Sequence, residues 1–80
     1  MDRKREAQIR RIVNEAIETD CIYPRDKNTA IDFFCGINSE SGEELFRIIA
    51  LHLEKNGIAK GWKWNYLAVA LKIQELASEN

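Results

Sequence analysis

The chain has 80 residues, of which 45% are hydrophobic and 31% are charged, and its formal net charge is −1. A chain of this length forms one domain, and its apolar share is typical of a folded protein rather than a disordered one. The balance of 12 basic against 13 acidic residues argues against nucleic-acid binding through bulk positive charge, and a single proline leaves few turn signals for an all-β fold. We therefore expect a single helical domain over residues 1–80.

The first predicted helix runs from about Asp2 to Thr19. Its apolar residues recur at spacings of three and four, which places them on one face of a helix. The members of this face are Ile9, Ile12, Val13, Ala16 and Ile17. Arg10 and Arg11 interrupt the apolar run that a signal peptide requires, so we expect an unprocessed, cytoplasmic protein.

A short second helix is predicted from about Thr29 to Cys35. Pro24 in the preceding connection disfavours helical geometry at the residue before it. Thr29 is a suitable N-terminal cap, with Asp32 three residues later in a variant of the capping box. We expect Gly36 to end this helix.

The third helix has the clearest predicted ends. Ser41 and Glu44 fit the Ser-x-x-Glu capping box, and Asn56 followed by Gly57 is a normal helix exit. Apolar residues cover a wide arc of this helix, which is typical of a helix near the middle of a fold. His52 lies on that arc, so we expect a histidine at the edge of the core with one hydrogen bond.

The fourth predicted helix begins near Lys60 or Gly61 and reaches about Ser78. At about 100° per residue, its apolar side chains separate into two groups. The first group is a broad arc suited to the core, formed by Trp62, Tyr66, Val69, Ala70, Ile73, Leu76 and Ala77.

The second group is a narrower stripe, called the second stripe below, formed by Trp64, Leu67, Ala68 and Leu71. Either the fourth helix is central and covered on both sides, or this stripe is exposed and binds another protein or a second copy in a homodimer. Small cores gain stability by assembly, which favours a partner. We therefore interpret the second stripe as the candidate partner-binding site, with a tryptophan as its anchor.

These patterns predict an all-α fold, a compact four-helix domain with a short second helix. We expect the core to draw on Ile9, Ile12, Val13, Ile17, Phe33, Phe34, Phe46, Ile49, Leu53, Tyr66, Val69 and Ile73.

Basic residues are concentrated near the two ends of the chain, although the net charge is close to zero. Residues 1–11 carry +3, residues 12–59 carry −5 and residues 60–80 carry +1. The alternative function is therefore a small DNA-binding regulator, with the fourth helix as the reader of a helix-turn-helix. The candidate nucleic-acid-binding residues are Arg3, Lys4, Arg5, Arg10, Arg11, Lys60 and Lys63.

The first and fourth helices carry charges opposite to those that the helix dipole favours, with bases at the start and acids at the end. An antiparallel arrangement of the two helices would bring Arg3, Lys4 and Arg5 near Glu75 and Glu79, within one chain or across a dimer.

No motif indicates catalysis, a cofactor or a metal ion. The single histidine and the two cysteines, Cys21 and Cys35, lack the spacings of a metal site. A nucleophile pair of Cys35 with His52 has no recognisable oxyanion hole, and the glycines fall singly at predicted helix ends. We expect a protein without enzymatic activity, cofactor or metal, in which both thiols are reduced and no segment spans a membrane.

Overall fold

The fold is seen in a computed structural model that describes residues 3–37 and 41–78. These ranges hold four α-helices and no strand, which confirms the all-α class and the short second helix. The helices are α1 (Arg3–Glu18), α2 (Lys27–Cys35), α3 (Gly42–Lys55) and α4 (Lys63–Ser78). No helix in the described ranges is both long and apolar enough to cross a membrane.

Helix α1 ends one residue before the predicted Thr19. Asp20 adopts a left-handed φ of 61°, a conformation that commonly closes helices. The N–H of Cys21 then donates to the carbonyl of Ala16 over 2.6 Å, which turns the chain back on the last helical turn. Asp2, the predicted first residue of this helix, lies outside the described residues.

Helix α2 begins two residues earlier than predicted, so the prediction that Thr29 caps it together with Asp32 was wrong. The chain already winds in a 3₁₀ turn, Pro24–Asp26, because proline holds a φ that suits the first position of a helix. Asp26 occupies the cap position of α2, but its carboxylate makes no capping hydrogen bond. The predicted end at Gly36 is confirmed, since its N–H donates to the carbonyl of Asp32 over 3.2 Å.

Both predicted ends of α3 are confirmed, but the capping box forms only in part, because the carboxylate of Glu44 pairs with Arg47 rather than with the N–H of Ser41. The hydroxyl of Ser41 accepts a hydrogen bond from the backbone N–H of Glu44 over 3.2 Å. After the cap residue Asn56, Gly57 adopts a φ of 66°, which a glycine reaches without steric cost.

Winding resumes at Lys60, as predicted, but the first turn is a 3₁₀ helix, Lys60–Trp62, and α4 proper starts at Lys63. The predicted inward arc is confirmed for its central members, since Tyr66, Val69, Ala70 and Ile73 are buried. Trp62 and Leu76 are half-buried, and the side chain of Ala77 lies outside the described part of the structure.

One hydrophobic cluster fills the interior, with α1 packed against α2 and α4, and α3 packed against α4. The radius of gyration, 11.6 Å, is that of a compact chain of this length. The predicted core residues that are buried are Ile9, Val13, Phe34, Ile49, Leu53, Tyr66, Val69 and Ile73. Ile12, Ile17 and Phe33 are half-buried against this cluster.

The assignment of Phe46 to the core was wrong. Phe46 is half-buried outside the core cluster. The inward arc of α3 centres on Leu45 and Ile49, and Phe46 projects about 100° from Leu45 on a helix. Its ring therefore lies at the border between α3 and α4.

Candidate functional site

The second stripe of α4 reaches the protein surface. Trp64 is 66% exposed and Leu71 is 44% exposed. Ala68 is also exposed, whereas Leu67 is half-buried and packs against the core. The structure therefore brings the four predicted residues together on one helix face and leaves three of them open to solvent.

The helical period explains why this stripe points outward. Tyr66 is fully buried, and Trp64, two residues earlier, projects about 160° away from it on a helix. The same spacing separates the buried Ile73 from Leu71. Helices α1 and α3 both contact α4, but they leave Trp64, Ala68 and Leu71 exposed.

The indole of Trp64 is held in place by α3. The rings of Trp64 and Phe46 meet edge to face, with centroids 5.2 Å apart. The ammonium of Lys63 lies 4.5 Å from the centroid of the Phe46 ring. An edge-to-face pair contributes about 0.5–1.5 kcal/mol, and a cation–π contact near the surface contributes about 0.5–1 kcal/mol. These contacts hold the exposed Trp64 side chain in one orientation.

A groove of about 330 Å³ lies between α1 and α4 beside the second stripe. Its lining includes Ile12 and Ala16 from α1, and Ala68 and Val69 from α4. Ala68 belongs to both the groove and the second stripe, so the two form one continuous apolar surface. Polar side chains also line the groove: Glu15, Asn65 and Lys72.

A buried polar cluster, which the sequence did not reveal, joins three elements behind this surface. The Tyr66 hydroxyl donates to Oδ2 of Asp26 over 2.7 Å, and Nε2 of His52 lies 2.8 Å from the same oxygen. The amide nitrogen of Asn56 lies 3.3 Å from Nδ1 of His52. The contacts fit a neutral imidazole whose Nε2–H donates to Asp26 and whose Nδ1 accepts from Asn56.

His52 was expected at the edge of the core with one hydrogen bond, but it is buried and both of its ring nitrogens have partners. The ring also stacks on Phe33, with centroids 4.2 Å apart. Since Asp26 and Asn56 occupy the two nitrogens, neither nitrogen contacts Cys35 as a nucleophile pair would require. Within residues 3–37 and 41–78, no group of three or more His, Cys, Asp and Glu side chains is placed to hold a metal ion.

Burial changes the acidity of two groups. Burial raises the pKa of Tyr66 far above its usual range, and the hydrogen bond to Asp26 acts in the same direction. Burial also raises the pKa of the Cys35 thiol, with a smaller contribution from the negative charge of Glu6. Both groups therefore stay protonated at neutral pH. Cys21 and Cys35 are free thiols.

Several of the predicted nucleic-acid-binding residues already have partners within the chain. Arg10 forms an ion pair with Glu6 at 2.9 Å, and Arg5 donates to the carbonyl of Ile37 over 3.1 Å. Lys63 rests on Phe46, as described above. The exposed members of the set are Arg3, Lys4, Arg10, Arg11 and Lys60.

The basic residues at the start of α1 do not lie beside the groove. The groove is lined by the carboxyl half of α1, from Ile12 onward, and by α4 between Asn65 and Lys72. Arg3 to Arg5 lie at the other end of α1. Glu75, their predicted neighbour, makes no ion pair within the described part of the chain, and Glu79 lies outside it.

Comparisons with protein-family models, with curated proteins and with solved structures found no match to this chain. The candidate site is therefore defined by its own residues: an oriented, exposed tryptophan on a helix face that continues into an apolar groove.

Proposed function

We propose that this chain is a small protein–protein interaction module that binds its partner through the second stripe of α4. The observation that carries the proposal is Trp64, a large aromatic side chain that is 66% exposed yet held against Phe46. Tryptophan is enriched among the few residues that dominate binding energy at interfaces. An oriented tryptophan on a helix face with Ala68 and Leu71 is suited to act as such an anchor.

The second stripe differs from isolated exposed apolar residues because its members adjoin one another and the groove between α1 and α4. Leu51 is 58% exposed, but it lies on α3 about 140° around the helix from Phe46 and stands apart from the stripe. Single exposed apolar residues of this kind are common and require no explanation. Trp64, Ala68 and Leu71 instead share one face with the α1–α4 groove.

The shape of the surface suits a helical partner. A helix bound in a groove presents apolar side chains at spacings of three, four and seven residues, and the second stripe has the same spacing. Glu15 and Lys72 at the groove supply charges of both signs, which select a partner more than they add affinity.

The free thiols of Cys21 and Cys35 are consistent with action in the cytoplasm.

DNA binding is the second candidate function. It is favoured by the short connection after α3, residues 56–59, which leads into the exposed Lys60 at the start of the 3₁₀ turn before α4. It is weakened by Lys63, whose ammonium is already engaged over Phe46. Binding of this kind would fall steeply with added salt and would weaken when Lys60 is replaced by alanine.

The experiment compares Trp64→Ala with Leu51→Ala, which removes an exposed apolar side chain from a different face. Tagged wild-type and variant chains are cross-linked in cells of the native host, and the complexes, including any of the chain with itself, are quantified. Truncating a central aromatic anchor costs about 2 kcal/mol or more, so we expect Trp64→Ala to weaken binding about 30-fold. Thermal unfolding of each purified variant checks that the domain stays folded.

The expected result is that complexes retained by the wild type and by Leu51→Ala are lost from Trp64→Ala. The proposal is overturned if every complex survives in the Trp64→Ala variant, or if the chain binds duplex DNA with steep salt dependence and Lys60→Ala abolishes that binding.

A further inference from the structure

We infer that the partner at the second stripe is a second copy of this chain, packed with its α4 antiparallel to the first across a two-fold axis. The inference rests on the proposed function, because it takes the second stripe to be an interface. It adds the identity of the partner, the orientation of the two helices and their register.

The length of the stripe sets the register. Its apolar residues extend from Trp64 to Leu71, so its midpoint lies between Leu67 and Ala68. Two antiparallel copies overlap their apolar residues fully only when the two-fold axis passes through this midpoint. Trp64 of each copy is then level with Leu71 of the other, and the contact occurs twice because the interface is symmetric.

Charge complementarity supports this arrangement independently. Lys60 lies four residues before Trp64, and Glu75 lies four residues after Leu71. In the antiparallel register, Lys60 of each copy is level with Glu75 of the other. Both side chains are exposed, and neither makes an ion pair within the described part of the chain.

The same charges disfavour the parallel alternative. Parallel helices in register would place Lys60 beside Lys60 and Glu75 beside Glu75, and juxtaposed like charges penalise a wrong orientation. Lys60 precedes the positive amino end of α4, where a base is unfavourable, and Glu75 lies near the negative carboxyl end. In an antiparallel dimer, Glu75 of the second copy lies near Lys60 of the first, and Lys60 of the second copy lies near Glu75 of the first. Each unfavourably placed charge is thereby offset by an opposite one.

Sedimentation equilibrium of the purified full chain at low salt tests the inference, since low salt preserves interactions between exposed charges. We expect a dimer with a dissociation constant in the micromolar range. Lys60→Glu and Glu75→Lys each place two like-charged pairs at the interface, so each should raise the dissociation constant about 10-fold. The double variant restores both pairs with reversed sign and should return the constant to within about twofold of the wild type.

The rescue is diagnostic because residues 60 and 75 of one chain are about 24 Å apart along the helix axis, too far to pair with each other. Lys27→Glu and Glu18→Lys are the matched controls, since they change the net charge equally at exposed positions on α2 and α1. Each control should leave dimerisation nearly unchanged. Single variants that weaken the dimer without rescue by the double variant would overturn the antiparallel register.

Two further outcomes separate this inference from the proposed function. A chain that stays monomeric while another protein still depends on Trp64 for binding would overturn the inference and leave the proposed function standing. A dimer that Trp64→Ala does not weaken, in a chain with no other Trp64-dependent complex, would overturn both.

Discussion

At the scale of single residues, Asp26 determines how three elements meet. Its carboxylate lies in the 3₁₀ turn before α2 and is only 3% exposed. One of its oxygens accepts hydrogen bonds from Tyr66 on α4 and from His52 on α3. A buried carboxylate is tolerated because these donors replace the water that it loses. The cluster therefore specifies one arrangement of the turn, α3 and α4.

We expect Asp26→Ala to lower the free energy of unfolding by about 2–4 kcal/mol, because it leaves the buried donors of Tyr66 and His52 unsatisfied. Urea unfolding at neutral pH measures the change. Asp32→Ala is the control, since Asp32 is exposed on α2 and its removal should cost less than about 0.5 kcal/mol. Equal losses in the two variants would contradict this role for Asp26.

The raised pKa of Tyr66 predicts a loss of stability at alkaline pH. In the unfolded chain tyrosine loses its proton near its usual pKa of about 10, whereas the folded protein retains the proton to higher pH. The stabilisation is therefore complete below about pH 10 and declines above it by up to about 1.4 kcal/mol per pH unit.

The comparison variant is Tyr66→Phe, which keeps the ring and removes the titrating hydroxyl. It should be less stable than the wild type at neutral pH, because the hydrogen bond to Asp26 is lost. Its free energy of unfolding should then fall less steeply between about pH 10 and pH 12. Parallel curves for the two proteins in that range would show that Tyr66 does not carry the alkaline sensitivity.

At the scale of elements, local sequence decides most helix ends. Ser41 with Glu44 and the pair Asn56 and Gly57 form the start and exit of α3 that their residue types predict. Thr29 has the right chemistry for a cap, but Pro24 has already started the winding five residues earlier. Thr29 consequently lies in the first turn of α2, past the cap position that Asp26 occupies, and its hydroxyl does not serve as the N-terminal cap.

These two hydroxyl residues make a matched pair for experiment. We expect Ser41→Ala to lower the free energy of unfolding by about 1 kcal/mol, the usual cost of losing an N-terminal cap. Thr29→Ala should change it by less than about 0.5 kcal/mol, because Thr29 caps nothing and is exposed. Thermal unfolding of the two variants measures both changes. A larger loss of unfolding free energy for Thr29→Ala than for Ser41→Ala would be inconsistent with the observed start of α2.

At the scale of the whole molecule, the core includes residues from the connections between helices, which the helical patterns do not predict. Ile22, Ile37 and Ile58 are buried although they lie in connections between helices. Connections have no helical period, so nothing in the local pattern separates a buried isoleucine there from an exposed one. Phe46 illustrates the converse, since its place on a wide apolar arc predicted the core but the position of α4 left it at the border.

The exposure of the second stripe is also decided at this scale. Its residues and spacing follow from the helical period, but its exposure depends on where α1 and α3 pack against α4. The sequence left open whether α4 was covered on both sides. The packed structure leaves Trp64 and Leu71 at the surface, and it is their exposure that gives the proposed self-association a physical basis.

The amino-acid sequence by itself determined the helical class, the four helices, most of their ends and the two apolar groups of α4. These features depend on interactions between residues a few positions apart, which periodicity and capping chemistry report directly. Only the tertiary structure decided the polar cluster, whose partners are 26 and 40 residues from Asp26, and the exposure of the second stripe. Both depend on how helices distant in sequence pack together, and local sequence patterns do not predict that packing.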